Sequence, residues 1–286
     1  MSCRTLVVAL LAAIAIAGCS PDGPDARAVA TTTPRSPEVA GDVAGDVAGE
    51  VASDLALAVD DTTHSAAAAA ALDLRAERCG PRVGFGTASM IDADLAITAA
   101  HVIAGATEIE VTDIDGNRTT ATPVLFDPDL DLALLRVADP IGTPIRLRAE
   151  AAMAGERGVV ALPRWIGGEL QLEVEVVTVV RTVNISTTDI YREGDVDRAG
   201  FEIDASIEPG NSGSLVVVPA SSDTGTSPDT GDPAAAAGPF GVGIVWARSN
   251  RNDASAWAID LPSEVLDPAH RATLTDPVHP GPCLPS

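Results

Sequence analysis

From residue 79 onwards, apolar residues come in short runs, many alternating with polar residues and broken by Gly, Pro, Asp and Asn. Such runs predict β-strands joined by turns. The first half of this region predicts five strands, at residues 83–91, 95–99, 108–113, 119–125 and 132–137. The second half predicts six, at residues 158–162, 170–182, 201–203, 214–218, 240–247 and 255–259. No helical periodicity separates them, which favours an all-β barrel or sandwich that divides near residue 150.

Two later segments depart from the strand pattern. Residues 219–238 are a stretch of 20 residues rich in Ser, Thr, Asp, Gly, Ala and Pro, which predicts a disordered surface insertion. Residues 261–270 predict one short terminal helix, with Ser263 as a possible N-cap.

The region before residue 79 is predicted to be a tether. Residues 20–37 are rich in Pro, Asp, Thr and Ala, and residues 41–52 repeat a Gly-acid-Val-Ala unit. The valines have helical spacing, but each glycine costs a helix up to about 1 kcal/mol relative to Ala. We expect residues 19–78 to be a low-complexity, disordered spacer with transient helix, including the Ala run at 66–71.

The first residues have the pattern of an export signal. Arg4 precedes an apolar run of 12 residues at positions 6–17, which is too short to span a bilayer. The run ends in Ile16-Ala17-Gly18-Cys19, which resembles the lipobox of bacterial lipoproteins. The prediction is a lipoprotein signal peptide at 1–18, a lipid on Cys19, and an exported protein anchored on the extracytoplasmic side of the cell membrane. An ordinary cleaved signal and an uncleaved anchor are the alternatives.

Charge and cysteine content narrow the classes of partner. The chain has 41 acidic and 18 basic residues, and this net charge of −23 disfavours nucleic acid, because the phosphates would be repelled. The acidic residues lack calcium-loop spacing, so we assign no metal and no cofactor. With Cys3 in the signal and Cys19 lipidated, Cys79 and Cys283 remain, and an exported pair favours a disulfide.

Three motifs carry candidate chemistry. They are Thr98-Ala99-Ala100-His101, Asp129-Leu130-Asp131-Leu132 and Gly210-Asn211-Ser212-Gly213. Taken alone, they are also typical of a buried histidine, the start of a strand and a turn. Together they place a histidine, an acid and a serine in one order along the chain.

This combination predicts an activated serine. A serine hydroxyl is a poor nucleophile until a base takes its proton, and a neutral imidazole such as that of His101 is a suitable base. Asp131 would fix the imidazole tautomer and stabilise the imidazolium. The glycines beside Ser212 allow the N–H groups of Gly210 and Ser212 to converge as an oxyanion hole.

With these motifs, residues 84–265 resemble the trypsin-like serine peptidases, specifically the bacterial HtrA-like group. The resemblance extends to Gly84-Phe85-Gly86-Thr87-Ala88, Ile207-Glu208-Pro209-Gly210 and Gly241-Val242-Gly243-Ile244-Val245, all in the family's order. It implies two six-stranded antiparallel β-barrels within a domain at 79–286: barrel one at about 79–150, barrel two at about 151–265, and a tail at 266–286. No PDZ-type domain is expected, because only 21 residues follow Val265.

The resemblance also implies a function and a specificity pocket. It implies a serine endopeptidase that cuts extracytoplasmic proteins or peptides through an acyl-enzyme. Ser206 stands where trypsin has its specificity aspartate, which argues against a preference for Arg or Lys. Val245-Trp246-Ala247 would pair with substrate and wall the pocket, favouring a small or apolar residue before the cut, although Trp246 fits plain core packing equally well.

Two other classes of protein share parts of this sequence pattern. A catalytically silent protease-fold binding module on the cell surface is the main alternative, but such modules usually lack a triad member or the oxyanion turn. An α/β-hydrolase esterase has its catalytic residues in the opposite order along the chain, Ser then acid then His, which disfavours that class. The sequence carries no signal for an oligomeric state.

Overall fold

The computed structural model describes residues 27–29, 59–220, 238–249 and 254–284. The predicted signal peptide, Cys19, most of the predicted tether and nearly all of the predicted insertion lie outside these residues. The described chain is predominantly β-structure, as the alternating pattern predicts. Its strands form two barrels, which confirms the predicted fold class.

The first barrel is closed and entirely antiparallel. It consists of β2 (Ala71–Arg78), β3 (Val83–Asp92), β4 (Leu95–Thr98), β5 (Ala106–Thr112), β6 (Arg118–Asp127) and β7 (Leu132–Val137). The strands follow the order β2-β3-β4-β7-β6-β5, and β5 pairs with β2 to close the ring.

The prediction that residues 19–78 form a disordered tether is wrong for its last part. Five strands of barrel one were predicted, and the sixth, β2, comes from residues assigned to the tether. Leu72, Leu74 and Ala76 are fully buried and alternate with more exposed polar residues, which is the pattern of a half-buried strand. The Ala-rich composition hid this alternation. Residues 27–29 form a further short strand, β1.

Barrel two follows the six strands predicted for the second half of the chain. They are β9 (Arg157–Ile166), β10 (Glu169–Thr188), β11 (Asp195–Ile203), β12 (Leu215–Val218), β13 (Phe240–Arg248) and β14 (Ala256–Asp260). The path runs β10-β11-β14-β13-β12-β9, and a β9–β10 pairing completes the circuit. The N-terminal half of the 20-residue β10 pairs with β9 and the C-terminal half with β11.

Two short strands extend this second sheet. β1 pairs with the outer part of β10, and β8 (Arg146–Leu147) pairs in parallel with β13. Because β8 belongs to the second sheet, the first barrel ends with β7 rather than near residue 150.

The described residues include four helices beside the barrels: α1 (Asp61–Ala70), α2 (Ala100–Ile103), α3 (Ser263–Leu266) and α4 (Pro268–Thr273). The Asp60 carboxylate caps α1 by accepting from the Thr63 N–H at 2.7 Å. This helix leads directly into β2 of barrel one and packs against β9, β10 and β12 of barrel two. It therefore joins the barrels.

The C-terminal helix differs from its prediction. Two short helices replace the single helix expected over 261–270, and Pro262, not Ser263, is the N-cap of the first. The break lies at Asp267 and Pro268, where Asp267 caps the second helix and Pro268 lacks the N–H needed to continue the first. In the part of the chain that the structure describes, no helix has the length and apolar character required to traverse a bilayer.

Strand β12 is buried on both faces. Leu215 and Val217 pack into the cluster that fills barrel one and the junction between the barrels. Val216 and Val218 point the other way, into the core of barrel two. Ser212 lies three residues before this strand, so the fold places it where the barrels meet.

Candidate active site

His101 and Asp131 are brought together by barrel one. His101 lies on α2, a single turn after β4, and Asp131 ends the turn between β6 and β7. One carboxylate oxygen of Asp131 accepts from the backbone N–H of His101 and the other contacts ring Nδ1, both at 2.8 Å. The carboxylate thus holds both the main chain and the ring of His101, and leaves Nε2 directed away from Asp131.

The carboxylate is buried, whereas the imidazole reaches solvent. The Asp131 side chain is 3% exposed and that of His101 is 29% exposed. Burial by itself raises the pKa of the Asp131 carboxyl, but the charge and hydrogen bonds of His101, together with the Arg198 charge, outweigh it and hold this pKa below its ordinary value. Asp131 is therefore ionised at neutral pH.

Arg78, at the end of β2, binds the main chain at His101. Its guanidinium donates to the carbonyls of His101 and Val102, at 2.7 and 2.5 Å. These carbonyls lie in the short α2 helix, where carbonyl groups lack partners within the helix.

The Ser212 loop is fixed to both barrels. The Ser212 carbonyl accepts from the Thr87 N–H of β3 at 2.8 Å, and the Gly213 N–H donates to the Val245 carbonyl of β13 at 2.7 Å. Within the loop, the Asn211 side chain accepts from the Glu208 N–H at 2.8 Å. The serine is therefore held between β3 of one barrel and β13 of the other.

Gly213 brings the serine loop against the histidine segment. A Cβ at this position would lie 2.1 Å from the Thr87 carbonyl oxygen and 3.0 Å from the backbone nitrogen of Ala99, and its φ is +92°. Only glycine fits such a close approach with this backbone. Ala99 is two residues before His101, so the two predicted motifs pack directly against each other.

Gly210 also adopts a left-handed backbone, with φ of +101°. Its carbonyl accepts from the Thr87 hydroxyl at 2.9 Å, which orients the peptide between Gly210 and Asn211. Among the described residues, no acceptor is bound by the N–H of Gly210 or of Ser212. Both donors of the predicted oxyanion hole are thus available.

The residues predicted to form the pocket are only partly brought together. Val245 bonds the Ser212 loop through its backbone, and Ala247 is half-buried. Trp246 is only 4% exposed and packs in the core, which is the second of the two roles that the sequence allows for it. Ser206 is exposed, with its N–H 3.4 Å from a carboxylate oxygen of Glu175.

Cys79 and Cys283 form the disulfide in this structure, across a sequence separation of 204 residues. Within residues 59–220, 238–249 and 254–284, no three His, Cys, Asp or Glu side chains are grouped to hold a metal.

A groove lies where strands of barrel one meet β9 of barrel two. It has a volume of about 230 Å³ and is lined by Asp73, Arg75, Phe85, Glu110, Thr112, Arg118 and Trp165. Phe85 and Trp165 are 57% and 47% exposed, and the indole N–H of Trp165 donates to Asp73 at 2.9 Å. Phe85 is two residues before Thr87 on β3, and no residue of the Ser212 loop lines this groove.

Sequence reasoning did not find three residues of the site. Arg78 fell within the predicted tether, although the alternation of residues 71–78 carried the signal for its strand. Thr87 was quoted as part of a motif, without its hydrogen bonds to the serine loop. Arg198, which stacks on Trp246 at 4.7 Å, carries no local signal, because its partners come from distant segments.

Two antiparallel barrels, with a His–Asp pair on one and a serine in a glycine turn beside the other, define the double-barrel class of serine peptidases. Residues 86–221 match the family model described as trypsin-like peptidase domain. This segment is a trypsin-like peptidase domain, and the resemblance predicted from the motifs is confirmed.

Curated relatives and solved structures agree with this assignment. Serine protease Rv3671c of Mycobacterium tuberculosis is 33% identical over 143 residues, which are 50% of this chain and 35% of that protein. The Do-like serine protease HtrA of Bacillus subtilis is 34% identical over 122 residues, 41% of this chain and 26% of that one. The crystal structure of the active form of the Rv3671c protease has a TM-score of 0.62 at 23% identity, covering 90% of this chain and 100% of that one. The matching segment spans about a third of the full mycobacterial relative.

Proposed function

We propose that this protein is a serine endopeptidase with His101, Asp131 and Ser212 as its catalytic triad. The observation that carries the proposal is the double hold of Asp131 on the backbone and ring of His101, at 2.8 Å each. With Nδ1 committed to Asp131, Nε2 is the nitrogen that takes the Ser212 proton as the hydroxyl attacks the peptide carbonyl. The same nitrogen returns that proton to the leaving amine, and water then hydrolyses the acyl-enzyme by the reverse use of the base.

The N–H groups of Gly210 and Ser212 form the proposed oxyanion hole. The left-handed φ of Gly210 and the Thr87 hydroxyl on its carbonyl support this role, because they hold the main chain between the two donors before substrate arrives. Donors fixed in advance stabilise the developing oxyanion without reorganisation, and the loss of one costs about 3–4 kcal/mol of transition-state stabilisation.

Substrate would cross the site along two surfaces. The backbone of Val245–Ala247 is proposed to pair with residues before the cut, with Ser206 and the wall beside Trp246 shaping a pocket for a small or apolar side chain. The groove of Phe85 and Trp165 is proposed to receive an apolar residue after the cut. Its charged rim is paired internally, by Arg75 with Glu77 at 3.1 Å and by Arg118 with Glu110 at 3.2 Å.

Fluorophosphonate labelling tests the triad, because this probe reacts with activated serines. The full chain, with the disulfide intact, is compared with Ser212→Ala and with Ser263→Ala, which removes an exposed hydroxyl at the start of α3. We expect labelling of the wild type and of Ser263→Ala, and none of Ser212→Ala. A folded wild-type protein that resists labelling would contradict the proposal and favour the binding module.

Export and anchoring complete the proposal. The signal at 1–18 and Cys19 are proposed to place the domain outside the cytoplasmic membrane through a lipid, where its substrates are proteins or peptides. Metabolic labelling with a radioactive fatty acid in a bacterial host tests this, with Cys19→Ser as the control. Labelling that is equal in the two proteins would refute lipidation at Cys19.

A further inference from the structure

Arg198, on β11, is a buried cation without a carboxylate partner in the described part of the chain. Arg198 is almost completely buried, with 1% of its surface exposed to solvent. Its guanidinium donates to the carbonyls of Asp129 at 2.6 Å, Thr188 at 3.3 Å and Pro128 at 3.5 Å. Burying a guanidinium is costly unless its donors are satisfied, so these carbonyls are what make the position tolerable.

Two of these carbonyls, those of Pro128 and Asp129, belong to the turn that ends in Asp131, and the third ends strand β10. Asp131 has φ of +57°, a left-handed conformation that is uncommon for residues other than glycine, although aspartate adopts it more often than most. Strained conformations persist when surrounding contacts over-determine them. The Asp127 carboxylate holds the N–H groups of Asp129 and Leu130 at 2.9 and 2.8 Å, and Arg198 holds the carbonyls.

Trp246 fixes the guanidinium from the other side. The Arg198 group lies over the indole at 4.7 Å, the geometry of a cation–π contact. Arg198 and Trp246 are on barrel two, whereas Asp131 is on barrel one. The arginine is therefore a bridge from the second barrel to the acid of the first.

Arg198 and the nearby carboxylates shift each other's pKa values. Burial lowers the pKa of Arg198, and the carboxylates of Asp131, Asp127, Asp129 and Asp189 oppose that shift. In return, the arginine charge contributes to the low pKa of Asp131.

We propose that Arg198 is a positioning residue that holds the Asp131 turn in the geometry needed to orient His101. The proposal rests on the triad proposed above. It assigns to barrel two a part in orienting the histidine and acid of barrel one, beyond supplying the serine. Arg198 does not touch substrate; it acts through Asp131.

The test compares Arg198→Met and Arg198→Lys with Arg181→Met. Arg181 is the matched control, because it lies over Trp257 at 5.5 Å and pairs with Glu202 in the same barrel. For Arg198→Met we expect kcat to fall on the order of 10- to 100-fold, the scale of a small misplacement of catalytic groups, with KM within threefold.

Arg198→Lys separates charge from geometry. It keeps a positive charge at this position but should lose part of kcat, because one ammonium group does not replace the planar fork on three carbonyls. If Arg198→Met fails to fold, this variant carries the test on its own. A wild-type kcat in folded Arg198→Lys, or an equal fall of kcat in Arg181→Met, would overturn the proposal.

A measurement without turnover separates this proposal from the triad proposal. In the Ser212→Ala background, proton NMR follows solvent exchange of the His101 ring N–H that is bound to Asp131. We expect Arg198→Met to speed this exchange at least tenfold and Arg181→Met to leave it unchanged. Unchanged exchange in Arg198→Met would overturn the positioning role even if Ser212 were catalytic. Conversely, if the wild-type protein had no peptidase activity, faster exchange in Arg198→Met would still support the positioning role.

Discussion

Gly213→Ala is the substitution whose effect follows most directly from the geometry of the site. The new methyl group would lie 2.1 Å from the Thr87 carbonyl oxygen, 2.5 Å from the Thr98 hydroxyl and 3.0 Å from the Ala99 nitrogen. Two of these atoms are backbone, and the Thr98 hydroxyl is bonded to the Thr87 carbonyl at 2.7 Å. None can move aside without displacing a strand, so the serine loop must withdraw from the histidine segment.

The cost has two parts. The positive φ of +92° contributes about 1–2 kcal/mol of backbone strain. Forcing a methyl group into packed surroundings contributes about 1–3 kcal/mol. A loss of about 3 kcal/mol in the free energy of unfolding would lower Tm by roughly 6–12 °C for a domain of this size.

Gly155→Ala isolates the strain. Its φ is +84° and no atom lies within 4 Å of the added methyl group, so only the first part of the cost applies. Thermal unfolding and the rate of fluorophosphonate labelling are measured for both variants. We expect Gly155→Ala to lose about 1–2 kcal/mol and label normally, and Gly213→Ala to lose more and label at least tenfold more slowly. Equal Tm losses, or wild-type labelling of Gly213→Ala, would refute the packing argument.

Four further predictions follow. Asp131→Asn should reduce the labelling rate on the order of 10⁴-fold while leaving the protein folded, and a loss below tenfold would exclude its orienting role. The wild-type labelling rate should fall from pH 8 to pH 5 as the His101 base is protonated; a flat profile would count against that base. The Cys79→Ser, Cys283→Ser double variant should lose roughly 5 kcal/mol of unfolding free energy in urea, since the bond closes a loop of 204 residues; two free thiols in exported protein would contradict the bond. Burial raises the pKa of Asp260 in the folded protein. The ionised carboxylate therefore lowers the free energy of unfolding increasingly as pH rises through that pKa. Asp260→Asn should therefore raise Tm at pH 7 and show no advantage near pH 3, and an equal gain at both would be inconsistent with this reasoning.

The strand pattern and the motifs were sufficient for the second barrel but not for the first. Strands β9 to β14 have apolar runs flanked by turn residues, and each was predicted at its place, with β9, β10 and β11 longer than expected. Strand β2 was missed because its Ala, Leu, Asp, Arg and Glu residues directly follow an Ala run that was assigned to the tether. Its alternation was a usable signal, since Leu72 and Leu74 are completely buried.

The sequence by itself determined which residue types stand in which order. His101, Asp131 and Ser212 lie in motifs whose chemistry is local, and period-two alternation is a property of neighbouring residues. Only the tertiary structure decided what surrounds them. The Arg198 contact with the Asp129 carbonyl joins residues 69 positions apart, and the Thr87 bond to Gly210 joins residues 123 apart. Such contacts exist because each barrel closes and the two barrels pack, and neither event leaves a mark on the residues adjacent in sequence.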